Sequence, residues 1–145
     1  MTKKYIGTKI ITAFEQDKKV GENGIERGYG VIYEDGYQSW SPKETFDAAY
    51  RAIEGDEQAL TFGDAIHMLK MGAKVARSGW NGKGMFIYYV PADHYPARTE
   101  AAKSHFGGSL VPYNAYLAIK NVNETVSTWV PSINDCLAED WIVVQ

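Results

Sequence analysis

Eight consecutive residues, Arg77-Ser78-Gly79-Trp80-Asn81-Gly82-Lys83-Gly84, combine three glycines, two cations and an indole. Such backbone can turn successive N–H groups toward one anion, as in a phosphate-binding nest. Arg77 and Lys83 add charge, and Trp80 offers a flat face for a nucleobase. The same stretch also reads as a hairpin turn, with Asn81-Gly82 at the bend and Trp80 folded into the core. It matches neither the phosphate loop that ends in Lys-Ser/Thr nor the dinucleotide glycine pattern.

A second cluster lies near the C-terminus, where Trp129 and Trp141 flank a polar segment holding Ser132, Asn134 and Asp135. Those polar groups suit base edges or ribose hydroxyls. Alternatively, Ser132 and Asp135 form a capping box on a short helical turn, with both indoles in the core. Residues 91–111 carry Asp93, His94, Arg98, Lys103 and His105. They read more simply as a solvated loop and surface helix than as a lid.

Covalent and metal chemistry finds little support. His67, His94 and His105 lack zinc spacing, and the single cysteine, Cys136, completes no thiolate site. No serine nucleophile elbow appears. Cys136 has no base beside it in sequence and reads as an inert thiol. No cofactor is expected.

The elements that must carry these residues follow from local patterns. Thr61 with Asp64 opens a helix whose Phe62, Ala65, Ile66 and Leu69 form one apolar stripe, and Gly72 closes it. Strands are expected over 74–77, 85–90, 116–120, 125–130 and 141–144, with a helix-prone piece over 98–106. Upstream, strand formers fill 5–14, residues 15–28 read as a loop, and Asp35-Gly36 joins two strands as a hairpin. Ser41, Pro42 and Glu44 are expected to start a helix that packs through Phe46, Tyr50 and Ile53. The fold class is α+β: a small antiparallel sheet packed by one or two helices, preceded by a strand–hairpin–helix module. Residues 1–57 form that module and its linker; residues 58–145 form the second domain.

Composition narrows the classes further. Of 145 residues, 45% are hydrophobic and 23% charged, an ordinary globular balance that excludes a disordered or collagen-like chain. Net charge is −3, which argues against a groove for duplex nucleic acid. The charge is uneven: residues 1–57 hold 8 Lys/Arg against 11 Asp/Glu, and residues 58–145 hold 7 of each. An anion bound by the second part must therefore be held by local donors. The longest apolar run, Met85 to Val90, is too short to cross a membrane, and no secretory signal is visible. That strand is apolar or aromatic on both faces, which points to an oligomer.

Three segments together carry a recognisable pattern: Thr61 to Ile66, Lys74 to Met85, and Trp129 to Ser132 with Asp135 to Trp141. They resemble the Thoeris anti-defence sponge family of bacteriophage proteins, second type. The resemblance implies a non-catalytic protein in the cytoplasm of the infected host. There it would sequester the cyclic ADP-ribose signals of TIR-domain enzymes, and some members also hold cyclic dinucleotides at separate sites. It further implies homo-oligomers, typically tetramers. On motif match and chemistry together, Trp80 and Trp129 are assigned to the base, Arg77, Asn81, Gly82 and Lys83 to phosphate, and Ser132 and Asp135 to hydroxyls or base edges. Trp80→Ala should then weaken binding and leave the fold intact. The alternatives are a hydrolase of the same signal and a protein-interaction inhibitor of the defence enzyme. Residues 1–55 resemble a different short phage module of no assigned role.

Overall fold

The computed structural model describes residues 1–145, which divide into two compact units, Met1–Arg51 and Ala52–Gln145. Sixteen elements mix helices and antiparallel strands, so the α+β class holds.

In the first unit, β1 (Thr12–Glu15), β4 (Gly28–Ile32) and β5 (Gln38–Pro42) make a sheet in the order β1-β4-β5. The expected hairpin is present, with Gly36 at φ +88° in the turn between β4 and β5. The strand expected over 5–14 is much shorter. Thr12 pairs with Ile32, and the partner strand turns away at Tyr33, so residues 1–11 run past the end of the ladder without regular structure. The expected loop over 15–28 instead holds a hairpin of β2 (Lys18–Val20) and β3 (Gly24–Glu26), turned by Gly21 at φ +66°. Every residue of these two strands is exposed, so no apolar alternation marks them.

Helix α1 (Lys43–Ala49) also departs from expectation. Ser41 is not its cap, and Pro42 stands at the N-cap rather than at the first helical position; both close the β5 ladder opposite Tyr29 and Gly28, and no side chain caps the helix. Phe46 stacks on Tyr29 at 4.1 Å and lies 5.0 Å from Tyr50, so Phe46 and Tyr50 do supply the packed face. Ile53 does not continue that face. It packs against the core of the second unit.

The second unit is built on a five-stranded antiparallel sheet in the order β11-β10-β7-β6-β12. Its strands are β6 (Lys74–Arg77), β7 (Phe86–Val90), β10 (Tyr116–Lys120), β11 (Val126–Trp129) and β12 (Trp141–Val144). Helix α2 (Phe62–Lys70) covers one face. Its capping box is complete: Asp64 N donates to Thr61 Oγ1 at 3.2 Å, and Thr61 N donates to Asp64 Oδ2 at 3.0 Å. Ala65 and Leu69 are its buried residues, and Gly72 follows at φ +95°. They meet Leu60, Val75, Ile87 and Trp141 in one core. Fully burying the Val, Leu and Ile side chains among them contributes about 1.5–3 kcal/mol each.

Between β7 and β10 the sequence hides a small hairpin. Strands β8 (Asp93–Tyr95) and β9 (Val111–Tyr113) pair around α3 (Glu100–Phe106), which is capped by Thr99 and so starts at Glu100 rather than Arg98. Their side chains are exposed except Val111, which again removes the period-two signal. The short helix α4 (Ile133–Leu137) precedes β12.

Candidate functional site

The site residues converge because register brings β6 and β12 together. Trp141 pairs directly with Arg77, so the start of β12 lies against the end of β6 and the glycine loop that leaves it. Arg77 donates from Nε to Asp140 Oδ1 at 2.8 Å and from Nη1 to Asp135 Oδ1 at 3.0 Å. Asp140 Oδ2 accepts from Gly79 N at 3.1 Å, and the Asp140 carbonyl accepts from Ser78 N at 2.9 Å. The first amide of the glycine loop is therefore satisfied by the chain's own carboxylate. A Cβ on Gly79 would lie 2.8 Å from Asp140 Oδ2, which explains the glycine there.

Asp135 is equally engaged. Its Oδ2 accepts from Ser132 N and Ser132 Oγ, both at 2.9 Å, while Asp135 N donates to Ser132 Oγ at 3.1 Å. This is the capping box of α4. The Asp135 carbonyl accepts from Trp141 Nε1 at 2.9 Å, which ties the buried indole to the same turn. Ser132 and Asp135 thus shape the site by fixing α4, and Arg77 keeps Nη2 free of intrachain partners.

Electrostatics follow from these bonds. Burial pushes the Asp135 carboxyl up, but the Ser132 and Arg77 hydrogen bonds outweigh it and hold it below the ordinary carboxylate value. Burial likewise raises Asp140, and the Arg77 side chain and Gly79 amide bring it below that value. The Arg77 guanidinium is raised, chiefly by its hydrogen bond to Asp140. Depressed folded-state values stabilise the fold above the unfolded carboxylate pKa of about 3.9, and that contribution disappears as pH falls through the folded values. The second unit is therefore expected to lose thermal stability steeply below about pH 4. An Asp135→Asn/Asp140→Asn variant should show a shallower fall. Parallel loss in the two proteins, followed by circular dichroism melts from pH 7 to pH 2.5, would exclude this network as the source.

The indoles form the second part of the site. Trp141 is fully buried. Trp80 stands edge-on to it at 5.7 Å and 75°, and Trp129 does the same at 6.0 Å and 81°. Phe62 of α2 lies 5.3 Å from Trp141 and 6.3 Å from Trp129. Trp80 and Trp129 are both half-buried, so each packs on the core and retains exposed surface. This corrects the expectation that Trp80→Ala leaves the fold untouched: removing it uncovers Trp141.

The rest of the loop leaves the indole cluster. Gly82 lies against Val122 and Met85, whose side chains a Cβ would meet at 2.7 and 2.8 Å. Asn81 and Lys83 are exposed. Amides 81–84 donate to nothing within the chain. Gly84, at φ +76°, would place a Cβ 3.5 Å from Lys120 Nζ. Lys120 pairs with Glu124 Oε1 at 2.8 Å and sits 5.6 Å from the Phe86 ring, with Lys74 at 5.1 Å from the same ring. Lys74, Phe86 and Lys120 escaped the sequence reading because they come from three strands. Only the pairing of Lys120 with Phe86 across β10 and β7 reveals the cluster. A cavity of about 210 Å³ lies elsewhere, bounded by Ile66, Leu69, Lys70, Tyr89, Tyr116 and Leu117, and none of the assigned residues lines it.

Residues 60–144 match the Tad2-like family, described as the Thoeris anti-defense 2-like domain. The chain belongs to that family. A relative from Bacillus phage SP01, named Thoeris anti-defense 2, is 38% identical over 92 residues, which span 59% of this chain and 96% of the phage protein. The match to this family takes in the tryptophan cluster, the glycine loop and α4. The β1-β4-β5 sheet lies outside the matched residues. No helix is long and apolar enough to cross a membrane.

Proposed function

We propose that this protein opposes Thoeris defence by holding a cyclic ADP-ribose-type signal, or a cyclic dinucleotide, without cleaving it, inside the infected bacterial host. The observation that carries this reading is the pairing of two half-exposed indoles, Trp80 and Trp129, on one buried indole, with Trp80 leading into a loop whose amides 81–84 are unengaged. An indole face stacks a base for about 1–3 kcal/mol. Amides 81–84, Lys83 and Arg77 Nη2 supply donors for a pyrophosphate, and charge-assisted bonds are the stronger kind. The name of the phage relative, Thoeris anti-defense 2, supports the anti-defence part of this reading.

Tight sequestration needs more than one stack. A nanomolar dissociation constant corresponds to roughly −12 kcal/mol. A pocket closed by a second protomer buries more of the ligand, and we place the protein in homo-oligomers, tetramers by the family resemblance. Val130, Ile133 and Leu137 around α4 are 84%, 69% and 75% exposed, an apolar patch next to Trp129 that suits a protein contact. Sedimentation at micromolar protein is expected to show a species larger than the 16.2 kDa chain, reduced toward the monomer by Leu137→Asp. Monomer alone in the unsubstituted protein would refute this assembly.

Calorimetric titration with cyclic ADP-ribose isomers tests binding. Heat denaturation of the complex, followed by chromatography, tests cleavage: the signal should return with unchanged mass. Lys83→Met is expected to weaken binding about threefold to fivefold at low salt, as for an exposed charge pair, with the difference shrinking at high salt. A salt-independent loss would assign Lys83 a role other than charge.

A further inference from the structure

The first unit carries a cleft of about 420 Å³ that the indole site does not use, bounded by Lys9, Ile10, Tyr33, Glu34, Asp35 and Tyr37. Three hydrogen bonds hold the turn that forms its wall. Tyr33 N donates to the Tyr37 carbonyl at 2.8 Å, Gly36 N to the Tyr33 carbonyl at 2.9 Å, and Tyr37 N to Asp35 Oδ1 at 2.9 Å. The Tyr33 and Tyr37 rings stack at 5.7 Å, and Ser39 Oγ donates to Tyr33 OH at 3.4 Å. Two aromatic faces and two carboxylates thus share one wall, held in place by the turn.

A cation of the chain already forms part of this cleft's lining. Lys9 Nζ lies 4.5 Å from the Tyr33 ring centroid. It makes no ion pair, and neither Glu34 nor the free oxygen of Asp35 is bound by any cation of the chain. The stretch that delivers Lys9 has no regular structure, and residues 1–11 contain three lysines and no acid. Residues 12–51 contain 8 acidic and 5 basic side chains. A ring face attracts an ammonium through its quadrupole, and nearby carboxylates select for positive charge. One ammonium against two carboxylates leaves the cleft net negative.

We infer that this cleft is a recognition site for a lysine side chain of a partner protein, which takes the Tyr33 ring face that Lys9 covers in the free chain. The chemistry it selects is read from the chain itself: Lys9 sets its ammonium on the Tyr33 ring, and the neighbouring apolar Ile10 lines the same cleft. A partner segment must displace Lys9, so the free protein binds it less tightly than a variant with the cleft vacated. This inference is independent of the indole site and of signal binding.

The test uses the isotope-labelled full chain and the tripeptide acetyl-Thr-Lys-Ile-amide, followed by amide chemical shifts. In Lys9→Gln, and in Lys9→Met as a second vacated background, saturable shifts are expected at residues 33–37, with a dissociation constant on the order of millimolar. The unsubstituted chain should bind about two- to fivefold more weakly. Tyr37→Ala and Glu34→Gln, both at exposed positions, should abolish the shifts in the vacated background. The side-chain-acetylated tripeptide should give none. Overturning results are an absence of saturable shifts in both vacated variants, equal response to the acetylated peptide, or a tighter response to putrescine, which would make the site one for free polyamines.

Discussion

Trp141→Ala is expected to unfold the second unit or bring it close to unfolding at room temperature. Truncating a fully buried tryptophan costs about 3–5 kcal/mol, a large part of the roughly 5–15 kcal/mol that holds an ordinary domain together. Here the loss compounds. The indole N–H bond to the Asp135 carbonyl goes, and Trp80, Trp129 and Phe62 lose the ring against which all three pack. Denaturant titration by far-ultraviolet circular dichroism reads the effect. Trp141→Phe restores an aromatic ring without the N–H and should recover much of the stability, leaving a deficit of about 1–3 kcal/mol for the unpaired carbonyl and lost volume. A melting temperature for Trp141→Ala within about 2 °C of the unsubstituted protein would mean that the core lies elsewhere.

Trp129→Ala carries the second large effect. Losing one stacked base at about 1–3 kcal/mol corresponds to a fall in affinity of about 5- to 150-fold for a cyclic ADP-ribose isomer. Trp129 is half-buried at the end of β11 and rests on Trp141, so some stability goes with it. Trp129→Phe separates the two effects, since it keeps a ring for stacking and most of the packing. Calorimetry should show Trp129→Phe recovering most of the affinity while Trp129→Ala, still folded by circular dichroism, does not. Equal affinity in all three proteins would remove Trp129 from the ligand. Trp80→Ala should lower affinity and melting temperature together, because its ring covers the other edge of Trp141.

How much of this was legible beforehand depends on where each residue's partners lie in the chain. The α2 capping box, its apolar stripe, Gly72 and the strand over 74–77 were read correctly, since each involves residues within one or two turns or one ladder edge. The Ser132–Asp135 capping box was visible for the same reason. Where signals were absent or competed, the reading failed. The exposed hairpins β2–β3 and β8–β9 bury no alternating face. Ser41 and Pro42 have helix-start chemistry, but cross-strand pairing with Tyr29 and Gly28 claims them first. A ladder of hydrogen bonds outweighs a local cap worth about 1 kcal/mol.

The candidate site divides along the same line. Residue types alone put the glycine loop, its cations and the two outer indoles forward as nucleotide-binding chemistry, because those properties travel with the side chain. Only the tertiary structure decided which of them are still available. The Arg77 donors and the Gly79 amide meet carboxylates more than fifty residues away, Asp135 and Asp140, through the pairing of β6 with β12. The same pairing sets Trp141 between Trp80 and Trp129 and turns two separate motifs into one cluster. Sequence spacing carries no information about such contacts, since strand register joins residues whose separation along the chain is arbitrary.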